Sequence, residues 1–493
     1  MNNERLWYTV AQRAAIVCVA AAVAACGPGG GGGGGEGPAT LSPTTADVPV
    51  GGRTAFTLSP AQAADWTVND LVGGTATVGR ISAIGVYTAP FVIPSPTTVT
   101  IGASVATNTA TVKVVSRFID DGPVTIGTCP SPLSACINAL AVPDLNGDGL
   151  SDLVTANTAS GTFSVVLRAS ASSFFASAPP YDVGSPDASE PQALAIADLD
   201  GDLTLDVAVA DAGSTSRAVR SRLGSGTGAF GNEVETVLAN ASAPLSLAVG
   251  HFDTVSDPTV RIPDVAVARF ENGTDPSELI ILRGDGTGHF LPSQLITVGI
   301  SQPLSVIVAD FNNDQLDDLA VANSGGLEGN TVSVFFGVGD GTFQAAESYP
   351  VAGGPSAVVA VDLNGDPFLD LAVTAAVDNT LTFILNKGAS GAPGAHFQVP
   401  SQPYATGAGP IALTAADVNG DQFQDLVVVN RDADTVMVFL GYGDGTAVAS
   451  ETYPVGHAPQ SVAVGDFNGD DRPDLAVANS GDDTVTILRN RGS

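Results

Sequence analysis

The chain has 493 residues, 44% of them hydrophobic and 14% charged, with 57 glycines and 32 prolines. That length allows two to four domains at roughly 100–200 residues each, and such a glycine and proline content favours turns over long helices. With 51 acids against 18 bases the net charge is −33, which would repel a phosphate backbone and excludes nucleic acid as a partner. Four cysteines and four scattered histidines (His251, His289, His396 and His457) make no zinc-binding spacing.

Residues 1–25 have the pattern of an export signal: Arg5 and Arg13, then an apolar stretch from Ala14 to Ala25 too short to span a bilayer. The stretch ends Val23-Ala24-Ala25-Cys26 with Gly27 following, which resembles a bacterial lipobox. The resemblance implies lipidation at Cys26 and anchoring to an outer membrane or cell surface, with the membrane reached through that anchor alone. Residues 26–37 form a glycine-rich tether, and an 11-residue glycine coil reaches about 18 Å at ~5–6 Å × √n.

Residues 38–116 alternate apolar and polar residues in short runs around Thr54–Leu58, Asp65–Val68, Thr98–Ile101 and Ala110–Val114. Period-2 runs divided by Gly and Pro predict strands, and six or seven of them predict a small β-sandwich. The pattern resembles bacterial immunoglobulin-like domains in Pro49-Val50-Gly51-Gly52, Trp66-Thr67-Val68 and Gly85-Val86-Tyr87-Thr88-Ala89-Pro90. Trp66 is expected in the core.

From residue 117 to 493 the chain repeats itself. The clearest unit is Ser461-Val-Ala-Val-Gly-Asp466-Phe-Asn468-Gly-Asp470-Asp-Arg-Pro-Asp474-Leu-Ala-Val-Ala-Asn479, with kin starting at Asp144, Asp198, Asp310, Asp362 and Asp417 and a worn copy at His251. Start-to-start steps of 49–59 residues, each reading strand, acidic loop, strand, polar turn, strand, Gly-rich turn, strand, predict a seven-bladed β-propeller. The last unit ends after a third strand, Thr484 to Asn490, while Phe118 to Gly127 is an orphan strand before the first unit, so one blade is expected to draw on both ends of the repeat region. The fold class is therefore all-β: a seven-bladed propeller preceded by a small Ig-like sandwich. The acidic loops, together with Gly-rich turns at 284–290, 339–343 and 443–446, resemble the FG-GAP and VCBS-type repeats, including the propeller of integrin α-chains.

Positions 1, 3, 5 and 9 of six loops are Asp or Asn, and position 7 can add a backbone carbonyl. The candidate ligand sets are Asp144, Asn146, Asp148, Leu150 and Asp152; Asp198, Asp200, Asp202, Thr204 and Asp206; Asp310, Asn312, Asp314, Leu316 and Asp318; Asp362, Asn364, Asp366, Phe368 and Asp370; Asp417, Asn419, Asp421, Phe423 and Asp425; and Asp466, Asn468, Asp470, Arg472 and Asp474. Calcium takes six to eight hard oxygens, and unneutralised carboxylates this close would repel one another, so about six Ca²⁺ sites are expected. Magnesium prefers fewer protein ligands. In the third repeat His251 replaces the first Asp and residues are inserted before Asp264; Asp253 and Asp257 remain, but no normal site is expected.

Gly226 to Gly231 matches GxGxxG but opens no helix, and Arg283-Gly284-Asp285 lies in a turn that recurs without Arg. Cys129 and Cys136, exported together, are expected to form a disulfide. With no nucleophile elbow or convergent catalytic set, the expected role is binding of an extracellular protein or carbohydrate by a monomer. A propeller enzyme such as a polysaccharide lyase or hydrolase is the alternative.

Overall fold

The structure is a computed structural model. It describes residues 39–492 except 60–63, 76, 91–93, 95–96, 105, 107, 127–135, 169, 171–175, 178–179, 185–188, 214–216, 239–241, 254–261, 271–276, 298–299, 326–329, 389–395 and 399–401. The expected leader, Cys26, the tether, Cys129 and Asp257 lie outside the described residues. Cys136 is disulfide-bonded. Among the described residues the fold is all-β, with no α-helix and none long and apolar enough to cross a membrane.

The N-terminal unit is built from sheets of five, four and two strands. The five-stranded sheet runs from Thr45–Pro49 through Ala110–Val115, Thr98–Ala103 and Trp66–Val68 to Leu71–Val72. Alternation along Ala110–Val115 places Ala110, Val112 and Val114 in a core shared with Trp66, Phe56, Tyr87 and Ile101. Trp66 is a core residue, as its surroundings in the sequence imply.

Seven sheets of four strand positions lie within residues 118–490, six of them β-meanders. We number these blades 1–7 by their acidic loops. In blades 1 and 5 the fourth position is split into two short strands, Ala176–Ser177 with Tyr181–Asp182 and Phe397–Gln398 with Tyr404–Ala405. Blade 7 joins Pro459–Gly465, Asp474–Asn479 and Thr484–Asn490 to Phe118–Thr125, which pairs antiparallel with the third of these. The orphan strand thus closes the ring from the other end of the repeat region, and the first strands of blades 1 and 7 are neighbours.

The second strands are buried along their whole length because a blade packs on both sides. In Asp318–Asn323 (DLAVAN), Leu319 and Val321 join the core shared with blade 3, while Ala320 and Ala322 join the core shared with blade 5. In Asp474–Asn479 the same division sends Leu475 and Val477 toward blade 6 and Ala476 and Ala478 toward blade 1. Large residues on one face and alanines on the other let twisted sheets pack about 10 Å apart around a ring.

Candidate functional site: the acidic loops at the blade seams

Each loop joins the first strand of a blade to its second. Position 4 is left-handed in all six intact loops: Gly147, Gly201, Asn313, Gly365, Gly420 and Gly469 have φ between 60° and 81°. That is why Gly recurs there, with Asn as the tolerated substitute. Position 6 is also left-handed in five loops, even where it is Leu203, Gln315, Gln422 or Asp471. Its amide donates to the position-1 carboxylate, as from Leu203 to Asp198 at 2.9 Å and Asp471 to Asp466 at 2.7 Å, which offsets the strain. Pro367 occupies position 6 in blade 5 and has no such N–H to give.

The position-1 carboxylates also take the amides of later loop residues, as Asp144 does from Gly147 at 2.8 Å and Asp148 at 3.2 Å. In blades 1, 2, 4, 5 and 6 the position-3 oxygen accepts the position-5 amide, and position-5 oxygens accept the position-7 amide: 2.9 Å to Asn146 and 2.9 Å to Asp148 in blade 1. Backbone donors therefore gather the side chains of positions 1, 3 and 5 at one edge of each loop. In blade 2 oxygens of Asp198, Asp200 and Asp206 all lie within 4.8 Å of one another. The other intact loops carry Asn at position 3, which offers an amide oxygen in place of a third carboxylate.

Position 9 has a second task. Its carboxylate is fully buried and accepts two backbone amides, one from position 2 and one from the end of the third strand. Asp206 takes Leu199 at 2.6 Å and Gly224 at 2.7 Å; Asp474 takes Phe467 at 3.0 Å and Asn490 at 2.7 Å; Asp318 takes Phe311 at 2.9 Å and Gly337 at 2.8 Å. Asp152, Asp370 and Asp425 repeat the pattern. Burial pushes these carboxyls up, to about 6 for Asp206, Asp370 and Asp474 and about 7 for Asp318 and Asp425. The backbone donors pull the other way, and neighbouring loop acids add to the rise: Asp200 and Asp198 for Asp206, Asp314 and Asp310 for Asp318.

Position 2 faces the seam between blades. Its side chain is buried in every repeat, as Leu145, Leu199, Phe252, Phe311, Leu363, Val418 and Phe467. In blades 3–6 its carbonyl accepts a donor from the next blade: Gly341 N to Phe252 O at 2.9 Å, Asn386 Nδ2 to Phe311 O at 2.7 Å, Gly445 N to Leu363 O at 2.8 Å, and Asn490 Nδ2 to Val418 O at 2.7 Å. Two of these donors are in Gly-rich turns, so acidic loops and Gly-rich turns share one face of the ring.

The worn loop of blade 3 keeps the seam, with His251 in place of the position-1 Asp. Asp264 still accepts Phe252 N and Gly284 N, each at 3.0 Å. Asp253 meets the Arg283 guanidinium at 3.0 Å, so a side-chain cation stands beside this acid.

Five stretches, 144–209 and the overlapping 261–321, 310–373, 362–428 and 417–477, match the FG-GAP-like repeat family and together cover more than half of the chain. The chain belongs to the FG-GAP-like repeat family. None of the curated proteins matches this FG-GAP-like chain in sequence. Among solved structures it is similar to BBS1N in complex with ARL6DN, in crystals soaked with lead (TM-score 0.50) and with mercury (TM-score 0.51). Both are 13% identical and cover 76% of this chain and 98% of the other, a likeness of fold.

Calcium is the ion expected from the loop spacing, and the donor set of the loops suits a hard cation: carboxylate, amide and carbonyl oxygens with no sulfur or imidazole. One oxygen is left over for it. In blade 7 the Asn468 Oδ1 is buried without a hydrogen-bond donor, at ligand position 3. A cation bound there would satisfy it.

Reasoning from sequence missed a set of latches between fourth strands. Tyr181, Tyr349, Tyr404 and Tyr453 hydroxyls accept the amides of Phe230, Phe397, Ala447 and Phe118 at 3.1–3.3 Å, each opening the fourth strand, or its first piece, in the following blade. Tyr349 and Tyr453 also donate to Glu347 and Glu451. The recurrence of Glu-x-Tyr-Pro at 347–350 and 451–454 was the available signal.

Proposed function

We propose that this FG-GAP-like chain is an exported binding protein whose propeller is held by structural calcium at six loops, with a protein or carbohydrate partner recognised on the face away from those loops. The observation that carries the calcium reading is the donorless Asn468 oxygen within a loop pattern repeated six times. Positions 1, 3, 5 and 9 would hold the ion, with the position-7 carbonyl completing the set, from Leu150, Thr204, Leu316, Phe368, Phe423 and Arg472. Bound calcium would supply charge neutralisation and loop rigidity, not chemistry on a substrate. Anchoring through lipidated Cys26 belongs to the same reading.

The far face is favoured for recognition because it is where the blades differ. In blades 1, 4, 6 and 7 an Asn ends the second strand and donates to a Thr or Ser hydroxyl of the third, as Asn157 does to Ser164 at 2.8 Å and Asn479 to Thr486 at 2.8 Å. Blades 2 and 3 replace it with charge: Asp211 with Arg220 at 2.8 Å, extended to Glu233 and Glu235, and Arg269 with Glu278 at 2.6 Å. These second-strand positions are themselves buried, so a partner would be read by the exposed turns beside them, as on other repeated scaffolds. The similar BBS1N fold is found in complex with another protein, in keeping with a protein partner.

Calorimetric titration of chelator-treated protein with Ca²⁺ tests the metal. At extracellular affinities of about 10⁻⁴–10⁻³ M, 1 mM calcium contributes roughly 0.4–1.4 kcal/mol per site, or about 2–8 kcal/mol over six. An unmoved melting midpoint with no calcium by elemental analysis would sink the assignment. Screening on glycan and matrix-protein arrays, followed by charge reversal on each face, tests recognition; loss confined to loop-face variants would reject the far face.

A further inference from the structure

Arg117 is 1% exposed, although it lies where the N-terminal unit passes into the propeller. Its backbone belongs to blade 7, since Arg491 N donates to Arg117 O at 2.9 Å. Its side chain leaves that blade in two directions. Nη2 donates to Val50 O, in the Pro49–Gly52 turn of the sandwich, and Nη1 donates to Val418 O at 3.1 Å. Val418 is position 2 of the blade 6 acidic loop. The Arg117 amide donates to Glu451 at 3.0 Å, the glutamate that also holds the Tyr453 latch. Burial pulls the guanidinium pKa down, and the charges of Asp425, Glu451 and Asp417 work against it, two of them from the same loop.

A buried guanidinium is costly unless fixed acceptors hold it, and the acceptors of Nη1 and Nη2 come from two units that share no sheet. Elsewhere along blade 6 the units part, leaving a cleft of about 420 Å³ lined by Thr75, Arg80, Thr88, Pro90 and Tyr442. Val418 O takes two donors, Arg117 and Asn490, whereas Phe252 O, Phe311 O and Leu363 O take one each among the described residues.

We propose that Arg117 is an interdomain clamp that seats the N-terminal sandwich on the loop face of the propeller and ties its pose to the order of the blade 6 loop. Whatever holds residues 417–425 in place also holds the sandwich, and the far face is left uncovered by it. The dependence on calcium rests on the reading under Proposed function; the clamp itself does not.

The test uses the mature chain in millimolar calcium, with small-angle scattering for the pose and amide hydrogen exchange over residues 113–118 for the clamp. Arg117→Met keeps the stem and removes the fork. It should enlarge the maximum dimension and speed exchange at that segment by about tenfold or more, since hydrogen bonds to a charged group contribute about 1.5–3 kcal/mol each. Arg117→Lys should fall between it and the parent. Asp417→Asn with Asp421→Asn should loosen the segment too, whereas Asp362→Asn with Asp366→Asn in blade 5 should not. Far-UV dichroism and melting of each variant separate loosening from failure to fold. Unchanged scattering and exchange in a folded Arg117→Met variant overturns the clamp. Equal effects of the blade 5 and blade 6 pairs overturn the link to loop 6. If calorimetry finds no calcium bound while Arg117→Met still loosens the segment, the calcium reading alone has failed.

Discussion

Blade 3 and the six intact blades differ in one loop and agree in the rest of the seam. The intact loops hold Asp at positions 1 and 5 and Asp or Asn at position 3, ordered by backbone amides; blade 3 has His251 at position 1, and Arg283 pairs with Asp253. Yet Asp264 makes the same two amide contacts as Asp318 or Asp474, and Phe252 fills the seam as Phe311 and Phe467 do. A blade can lose the position-1 Asp and keep its place in the ring. The position-9 carboxylate is therefore part of the scaffold in all seven blades and a candidate ligand in six. Blade 3 is a natural control for which function each acid serves.

The largest expected effect breaks the shared part. Asp264→Ala leaves two buried amides without acceptors, at about 1–3 kcal/mol each, so a loss of roughly 2–6 kcal/mol is expected by denaturant unfolding. Asp318→Ala should lose a similar amount in chelator and more in calcium. If Asp264→Ala is harmless, the scaffold role of position 9 is wrong.

A middle-sized effect should separate the two kinds of loop. Asp466→Asn with Asp470→Asn should remove one site's share of the calcium-dependent stabilisation, about 0.4–1.4 kcal/mol, and leave stability in chelator nearly unchanged or raised through relieved repulsion. Arg283→Met should instead lower stability equally in calcium and in chelator. A calcium-dependent loss in Arg283→Met would place a cation in blade 3 after all.

The smallest effect lies on the side away from the loops, where no cation is invoked. His457 Nδ1 is 3.1 Å from the Asp434 carboxylate, and that hydrogen bond raises its pKa above the ordinary 6.5, with the aspartate charge adding to it. A raised folded value means that the pair stabilises below 6.5 and that this is lost as pH climbs through the folded pKa. Ring-proton NMR should give a midpoint above 6.5 that falls back in Asp434→Asn; equal midpoints would dismiss the pair.

Much of this was legible in one dimension. The period of the acidic loops, the alternation within Asp474–Asn479 and the orphan strand at Phe118 are local patterns, and each maps directly onto a strand or turn. The Gly at loop position 4 was legible for the same reason, because a left-handed turn selects it whatever surrounds it. The double duty of position 9 was not, since Asp152 and Asp144 look alike until one is buried against Arg168 N at 2.7 Å and the other stays at the loop's edge.

The sequence by itself determined the all-β class, the repeat, and which loops carry oxygen donors, because strand pleat, turn strain and charge density act over a few residues. Only the tertiary structure decided which carboxylates become scaffold, how tyrosines latch one blade to the next, and that Arg117 bridges Val50 and Val418. Those roles depend on acceptors that are 67 and 301 residues away along the chain, and burial is what makes their satisfaction obligatory.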